Sequence, residues 1–236
     1  MIVAIHQPQF MPWLGYFGKM AESDMFVLLD NVQYKKNEYQ NRNRIKTSQG
    51  WQWLTLPVNY RFPQKINEVG IDNKTDWRKK HLHAIELNYG RSPYFNKYIE
   101  VLREFYSRDW RMLSDFNISC VRLLRGLLGI SAELVVSSEM DISCVGPNER
   151  LVEICGKLGA DTYLAGRDGR NYMDLGIFRE AGLKVAFQEF EHPVYPQLFG
   201  GFERYMSGLD LIFNCGDNSI KILSNVKSFM KKEREE

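Results

Sequence analysis

Two short apolar runs near the start of the chain, separated by a segment of helical spacing, constrain the fold more than any other feature. The runs cover residues 2–5 and 25–29, and each has the length of a buried strand. Pro12 suits the first position of a helix, and apolar residues then recur at helical spacing up to residue 22. A strand, a helix and a second strand in close succession predict a βαβ unit with parallel strands.

The last third of the sequence repeats this alternation. Strands are predicted at residues 133–136, 162–165 and 183–190, and helices at residues 147–158 and 173–180. Alternating strands and helices are typical of a parallel sheet covered by helices on both faces. The predicted fold class is therefore α/β, with a doubly wound, mostly parallel, Rossmann-like sheet.

The middle of the chain interrupts this pattern. A β-hairpin insert is predicted within residues 39–71, with strands at 39–47 and 51–58 and a further edge strand at 66–71. A helical block is predicted within residues 75–129, and its role as a lid, a dimer interface or a scaffold stays open. The length of the chain suits a single α/β domain over residues 1–236 that contains both inserts.

Composition narrows the class of protein. The net charge is +2, so no nucleic acid or anionic membrane is required as a partner. The four cysteines have no CxxC spacing, so neither a metal site nor a disulfide framework is predicted. No signal-peptide pattern and no apolar run of about 18 residues is present, which favours a cytoplasmic protein without a membrane span. Residues 227–236 carry both charges and are expected to form a frayed end.

Polar side chains follow the first two predicted strands. His6 and Gln7 come after the first strand, and Asp30 and Gln33 come after the second. Ligands of parallel α/β sheets bind at the carboxyl ends of the strands, so these residues are candidate site residues. His6 is either a general acid or base, or a histidine that hydrogen-bonds a loop carbonyl. Asp30 either orients His6 and a substrate group or forms an Asx-turn.

The first helix offers a second set of candidates. Trp13, Tyr16 and Lys19 are spaced three apart and so share roughly one face of the helix. Tyr16 and Lys19 suit an anionic or sugar-like ligand, and Trp13 offers a flat surface for stacking. The alternatives are that Trp13 packs into the core and that Lys19 is solvated.

A cationic segment covers the start of the predicted hairpin. Strand alternation places Arg42 and Arg44 on one face, with Asn41 and Asn43 on the other. Paired guanidinium groups bind phosphates or carboxylates, and Lys35 and Lys46 add positive charge nearby. The segment is therefore a candidate anion site, with a solvated hairpin face as the alternative.

Two further loops follow predicted strands in the last third. The first contains Gly166, Arg167, Asp168 and Tyr172, and its backbone amides and Arg167 suit a phosphate or carboxylate. The second contains the candidates His192, Tyr195 and Gln197, in a loop stiffened by two prolines. His81 and His83 lie within a helix; His81 is predicted to be structural and His83 exposed.

The segments HQPQFMPWLGYFGKM, DMFVLLDNVQYKK, NRNRIK, YLAGRDGRNYMD and HPVYPQ together resemble the WbqC-like family over nearly the whole chain. Members of that family are encoded among O-antigen and other surface-polysaccharide genes, and some are labelled glycine transferases. The resemblance implies a transferase that joins an amino acid to an amino sugar, with a nucleotide-linked sugar as acceptor.

A second, weaker likeness is to nucleotidylyl transferases and pantothenate synthetases. The comparable stretch here is 12–16 and then 24–30, and both histidines of the HxGH signature of those enzymes are missing. The likeness implies a similar topology and ATP bound over the first βα loop, near His6 and Gly15.

These observations lead to three functional hypotheses. In the first, an activated amino acid is attacked by the amine of a sugar. His6 or His192 acts as base, Asp30 orients it, and Arg42, Lys46 and Arg167 hold phosphates. The others are a nucleotidylyl transferase using ATP and a non-catalytic nucleotide- or glycan-binding assembly protein. The expected partners are the nucleotide-linked amino sugar and the amino-acid donor. No nucleic acid is expected except an aminoacyl carrier RNA, and a homodimer is one possible oligomeric state.

Overall fold

The computed structural model describes residues 1–224 and the backbone of residues 231–232. The strands are β1 (Ile2–His6), β2 (Met25–Leu28), β3 (Arg42–Thr47), β4 (Gly50–Thr55), β5 (Val58–Asn59), β6 (Gly70–Ile71), β7 (Glu133–Val136), β8 (Thr162–Ala165), β9 (Lys184–Phe187) and β10 (Lys231–Lys232). The helices are α1 (Leu14–Ala21), α2 (Trp77–Tyr89), α3 (Phe95–Ser107), α4 (Leu113–Leu128), α5 (Pro147–Lys157), α6 (Leu175–Glu180), α7 (Gly208–Cys215) and α8 (Ser219–Ser224).

Six of these strands form the central sheet, in the order β10-β9-β8-β1-β2-β7. The five strands from β9 to β7 are parallel, and β10 pairs antiparallel with β9. β1 lies at the centre, between β2 and β8. The prediction of an α/β fold with a mostly parallel, Rossmann-like sheet is therefore confirmed.

Helices cover both faces of the sheet because alternate side chains of each strand point to opposite sides. Val3 and Ile5 of β1 belong to one buried cluster with Ile154 of α5 and Phe178 of α6. Ala4 belongs to a second cluster, which includes side chains of α1, α4 and α7. His6 has the same parity as Ala4, and its ring contacts the ring of Tyr16 on α1. The two-sided packing places His6 on the α1 side of the sheet.

The chain leaves the sheet between β2 and β7, and this excursion contains both predicted inserts. β3 and β4 form the antiparallel hairpin, and α2, α3 and α4 form the helical block. The expected edge strand at residues 66–71 is wrong in part. Residues Ile66–Glu68 form a 3₁₀ turn, and β6 pairs with β5 in a separate two-stranded sheet, because β7 occupies the edge beside β2.

The C-terminal part holds elements that the sequence patterns did not indicate. Every residue of α7 is buried, including Asp210, and α8 packs against α1. Of the tail predicted to fray, the structure describes only β10; the remainder of residues 227–236 lies outside the described residues. Within residues 1–224 and 231–232, no helix combines the length and the apolar character needed to cross a bilayer.

Candidate functional site

A cleft opens at the carboxyl ends of β1 and β8. From β1 the chain builds the sheet outward through β2 and β7, and then crosses to the other side to form β8 and β9. The gap between β1 and β8 is therefore the topological switch point, where open parallel sheets bind their ligands. The cleft has a volume of about 1160 Å³, which is large enough for a ligand of nucleotide-sugar size.

Many of the predicted site residues line this cleft although they are distant in the sequence. His6 and Gln7 come from the end of β1, and Gly166, Arg167 and Asp168 come from the end of β8. The other predicted residues in the lining are Trp13, Gly15, Tyr16, Lys19, Gln33, Lys35 and Tyr172. The structure thus brings the first 35 residues and the loop after β8 into one site.

The His6 imidazole has one engaged nitrogen and one open nitrogen. Its Nδ1 lies 3.1 Å from the carbonyl oxygen of Gln7, which can only accept, so Nδ1 carries the proton. Within the described chain, Nε2 has no hydrogen-bond partner. Burial and the nearby Lys19 lower the pKa of His6 from 6.5 to about 3. His6 is thus neutral at physiological pH, with a lone pair on Nε2.

Lys19 reaches the floor of the cleft from α1. Its side chain is 3% exposed, and Nζ donates to the carbonyl oxygen of Ile5 at 2.8 Å. Burial lowers the pKa of Lys19 from 10.5 to about 7. The sequence left a solvated Lys19 as an alternative, and its burial contradicts that alternative.

Aromatic side chains form one wall of the cleft. The Trp13 ring lies 5.4 Å from the Phe190 ring and 5.5 Å from the Tyr205 ring, between ring centroids. The Trp13 indole also lies over Gly15, where a Cβ atom would approach it to 2.1 Å. Any larger residue at position 15 would displace the indole. This wall offers a stacking surface for a base or a sugar ring.

Cationic side chains also belong to the cleft lining. Lys35, Lys65, Arg150 and Arg167 all lie in its lining, with Asp168 as the nearby acid. Arg150 is anchored, since its Nε donates to the carbonyl oxygen of Cys144 at 3.3 Å. Guanidinium groups at this position suit phosphate or carboxylate oxygens. The cleft therefore combines an aromatic wall, a cationic rim and a neutral histidine.

Asp30 lies outside the cleft lining, although it follows β2 as expected. Its carboxylate accepts hydrogen bonds from the Ser137 hydroxyl at 3.0 Å and from the Ser138 hydroxyl at 2.7 Å. The Ser138 backbone amide and the Ser114 hydroxyl are further donors. Within residues 1–224, Asp30 makes no hydrogen bond to His6. It links the ends of β2 and β7 to α4, and the carbonyl of Gln7 orients His6 instead.

Of the cationic hairpin segment, Lys35 lines the cleft, whereas Asn41, Arg42, Asn43 and Arg44 lie outside the lining. The guanidinium of Arg42 stacks 4.3 Å from the Trp53 ring and donates to the carbonyl oxygen of Asn37. Asn41 donates to the carbonyl oxygen of Leu56 at 3.0 Å, and Asn43 donates to that of Met11 at 2.7 Å. Both amides are buried. These side chains bind the protein's own backbone and aromatic rings, because the hairpin must be fixed to the loop after β1.

Lys46, Tyr195 and Gln197 belong to a second buried polar cluster. The Lys46 ammonium donates to Gln197 Oε1 at 3.2 Å and to the carbonyl oxygens of residues 200 and 201 at 2.8 and 2.6 Å. The Asp210 carboxylate accepts from the Tyr195 hydroxyl at 2.8 Å and from Gln197 Nε2 at 2.7 Å. This Lys46–Asp210 cluster fastens residues 195–201 to β3 and α7. Lys46, Tyr195 and Gln197 thus direct their polar atoms to other residues of the protein rather than to a substrate.

His192 has both ring nitrogens engaged. Nδ1 lies 2.9 Å from the carbonyl oxygen of Pro193, and Nε2 accepts from the backbone amide of Tyr205 at 3.1 Å. Burial lowers its pKa. His192 is not part of the cleft lining that contains His6 and Arg167. Instead, His192 holds Tyr205, which does line the cleft.

Several lining residues were not among the sequence candidates. Gln188 and Phe190 follow β9 at the same edge of the sheet, and the rule that ligands bind at strand ends would have included them. Gln188 Nε2 also donates to the carbonyl oxygen of Gly15 at 3.0 Å. Arg150 and Lys65 carry no local signal, since they reach the cleft through the packing of α5 and of the loop near β5.

Comparison with known proteins places the chain in a family. A sequence model described as the WbqC-like protein family matches residues 7–222. A protein of Mycobacterium tuberculosis named Uncharacterized protein Rv1507c is 40% identical over 218 residues, which cover 91% of this chain and 94% of that protein. No solved structure matches the chain. The match begins immediately after His6 and covers the other cleft residues from Gln7 to Tyr205, and the chain belongs to the WbqC-like protein family.

Proposed function

We propose that this protein is a transferase that forms an amide between an activated amino acid, such as glycine, and the amine of a nucleotide-linked amino sugar. The setting is the biosynthesis of a surface polysaccharide such as O-antigen, as the family resemblance implies. One observation carries the proposal: a histidine with an unpartnered Nε2 lies in the same cleft as a cationic rim and an aromatic wall.

Each part of the cleft matches a part of such an acceptor. The diphosphate requires cations, and Arg150, Arg167, Lys35 and Lys65 supply them. The base or the sugar ring requires a flat surface, which Trp13, Phe190 and Tyr205 provide. A ligand that contacts both parts lies in the same cleft as His6.

The chemical step needs a group that accepts a proton from the attacking amine. The amine nitrogen forms a bond to the acyl carbon, and the bond from that carbon to the leaving oxygen breaks. His6 Nε2 takes the proton that the nitrogen loses. Burial lowers the pKa of His6 to about 3, so the imidazole is neutral before the step, and after it the imidazolium passes the proton to the leaving group or to water. The leaving group is the phosphate of an aminoacyl adenylate formed from ATP, or the oxygen of a carrier-bound ester.

The test is an incubation of the protein with an amino acid, ATP and a nucleotide-linked amino sugar, with preformed aminoacyl donors in parallel. Mass spectrometry should detect the amide product. His6→Gln should lower kcat by about 100-fold or more, since general base catalysis contributes at least that much. His83→Gln, a change at an exposed histidine outside the cleft, should leave kcat unchanged.

Other outcomes identify other functions. Release of pyrophosphate from ATP without any amino acid would indicate a nucleotidylyl transferase. Binding of the nucleotide sugar with no product from any donor would indicate a non-catalytic binding protein in an assembly complex. Either outcome would overturn the proposed amide synthesis.

A further inference from the structure

Lys19 is a buried cation with too few acceptors. An ammonium group carries three N–H donors, and in the described chain only the carbonyl oxygen of Ile5 accepts from it, at 2.8 Å. Among the ion pairs of residues 1–224, none involves Lys19. Buried charges are normally paired. Lys19 is not paired, and a ligand bound in the cleft can supply the missing acceptors.

The position of Lys19 points to the partner. Both Lys19 and His6 line the cleft, and Lys19 is close enough to act electrostatically on the imidazole. Its acceptor Ile5 immediately precedes His6 on β1, so the ammonium lies beside the start of the loop that carries the proposed base. A ligand bound in this cleft can therefore contact both His6 and Lys19.

The other charged and titratable groups near Lys19 lie on several elements. Those that share the cleft with it are His6 on β1, Tyr16 on α1, Tyr163 on β8, Arg150 on α5, and the loop residues Lys35, Lys65, Arg167, Asp168, Tyr172 and Tyr205. Lys221 lies on α8, which packs against α1. Apart from Asp168, which makes no ion pair with Lys19, this set contains no carboxylate.

We propose that Lys19 is a catalytic residue that donates to the acyl oxygen and stabilises the negative charge that develops there. This rests on the proposed amide-forming reaction. As the sugar amine bonds to the acyl carbon, the C=O electron pair moves to the oxygen, which becomes an oxyanion held by the Lys19 ammonium. His6 Nε2 takes the proton from the nitrogen. When the C=O bond re-forms, the bond to the leaving oxygen breaks, and Lys19 keeps its own proton throughout.

Burial makes Lys19 effective in this role and also limits it. A donor in a site of low dielectric stabilises a developing charge far more than one in water. The same burial lowers the pKa of Lys19 to about 7, so the charged form is lost as the pH rises through that value. The ratio kcat/KM reports the free enzyme, so it should fall above about pH 7. An arginine at position 19 would stay charged.

The experiment measures amide formation by the full-length wild-type protein and by Lys19→Met and Lys19→Arg. Lys19→Met should lower kcat by about 100- to 1000-fold, as loss of an oxyanion donor does, with a smaller change in KM. Lys19→Arg should retain more activity than Lys19→Met and should lose the decline of kcat/KM above pH 7. Lys79→Met, at an exposed lysine on α2, is the matched control and should match the wild type.

The outcomes separate this inference from the proposed function. If the wild-type protein makes no amide with any donor, both are overturned. If the wild-type protein makes amide and Lys19→Met keeps kcat within threefold, only the role of Lys19 is overturned. A kcat/KM profile of the wild type that is flat from pH 6 to pH 9 also overturns it. Circular dichroism of each variant confirms that a loss of rate is not a loss of fold.

Discussion

Residues 1–224 contain two buried lysines, and they differ in how their ammonium groups are satisfied. Lys19 and Lys46 are both 3% exposed. Lys46 has three oxygen acceptors within 3.2 Å and lies beside the cluster around Asp210, whereas Lys19 has one acceptor. Burial alone therefore does not distinguish a structural lysine from a functional one. The number of acceptors supplied by the protein does, because a site that binds a ligand must leave some donors without partners.

Two histidines repeat this contrast. His81 is held on both sides, with Nε2 at 3.0 Å from the carbonyl oxygen of Thr55 and Nδ1 at 3.3 Å from the Tyr106 hydroxyl. The sequence interpretation of His81 as structural agrees with this geometry. His6 has one engaged nitrogen and faces the cleft. The four residues form two matched pairs, and the predictions below test each pair.

The largest expected effect is on stability at Lys46. Lys46→Met leaves Gln197 and two backbone carbonyls without their donor, and it removes a positive charge near buried Asp210. Loss of one partner of a buried charge network typically costs about 3–5 kcal/mol. Urea unfolding at pH 7 measures this loss. A cost below about 1 kcal/mol would show that the Lys46–Asp210 cluster does not hold the loop.

Lys19→Met should raise the free energy of unfolding, whereas Lys46→Met should lower it. The pKa of Lys19 is lower in the folded chain than in the unfolded chain, so the unfolded chain binds more protons between about pH 7 and pH 10.5. The free energy of unfolding therefore rises across that window in the wild type. The shift of the pKa from 10.5 to about 7 corresponds to a cost of about 5 kcal/mol for the buried charge, and the hydrogen bond to Ile5 offsets about 2 kcal/mol of it. Methionine removes both and should therefore stabilise the protein by about 3 kcal/mol at pH 6.

That gain should shrink as the pH approaches 10. Urea unfolding of Lys19→Met and of the wild type at pH 6 and pH 9 measures it. A destabilised Lys19→Met variant at pH 6 would contradict the assignment, because it would place Lys19 with Lys46 as a structural residue.

The histidine pair should share a pH dependence of stability but differ in activity. Burial lowers the pKa of His6 to about 3 and of His81 to about 4. Both stay neutral in the folded chain while the unfolded chain gains protons below pH 6.5. Stability is therefore lost as the pH falls, by about 2 kcal/mol per histidine between pH 6.5 and pH 5.

Replacing either histidine by glutamine should reduce the number of protons taken up on unfolding near pH 5 by about one. The free energy of unfolding, measured at several pH values, should then fall less steeply with decreasing pH. Only His6→Gln should also lower the kcat of amide formation, by about 100-fold or more. If His81→Gln lost activity to the same degree while folded, the contrast between engaged and open histidines would fail.

The smallest effects concern two groups of arginines. Arg150→Ala and Arg167→Ala should each raise KM for the nucleotide-linked sugar about tenfold, since each removes a charge-assisted hydrogen bond worth about 1.5 kcal/mol. Arg44→Ala, on the hairpin outside the lining, should leave KM unchanged, because its guanidinium stacks 4.0 Å from the Trp51 ring. If all three changes raised KM equally, the assignment of the anion site to the cleft alone would be wrong, and the hairpin would belong to the site.

The sequence predicted the fold from periodicity, and it did so best where one pattern dominates. β7 and β8 have the predicted bounds, and α1 begins two residues after the predicted proline start, at Leu14. The strand at 183–190 is shorter than predicted, because after Phe187 the chain turns to place Gln188 and Phe190 in the cleft. α7 was not predicted, since a helix that is buried all round has no polar face to mark its period.

The site was predictable where strand ends determine it and not where side chains find partners. His6, Arg167 and their neighbours converge because parallel strands deliver residues to one edge. Asp30 and His192 also follow predicted strands, and Lys46 lies in the cationic hairpin segment. Asp30 binds serines, His192 a backbone amide and Lys46 loop carbonyls, and residue spacing does not predict these distant partners. Arg150 reaches the cleft through the packing of α5, and the local sequence pattern does not predict that packing.

The central position of β1 has a consequence for how the cleft forms. β1 is the first strand made, yet its partner β8 lies about 160 residues later in the chain. The floor that holds His6 and Lys19 therefore remains one-sided until the loop with Arg167 has been synthesised. Contacts of such long sequence separation form late and slow the folding of a domain. A growing chain, or one cut before β8, thus carries His6 and Lys19 without the opposite side of the cleft.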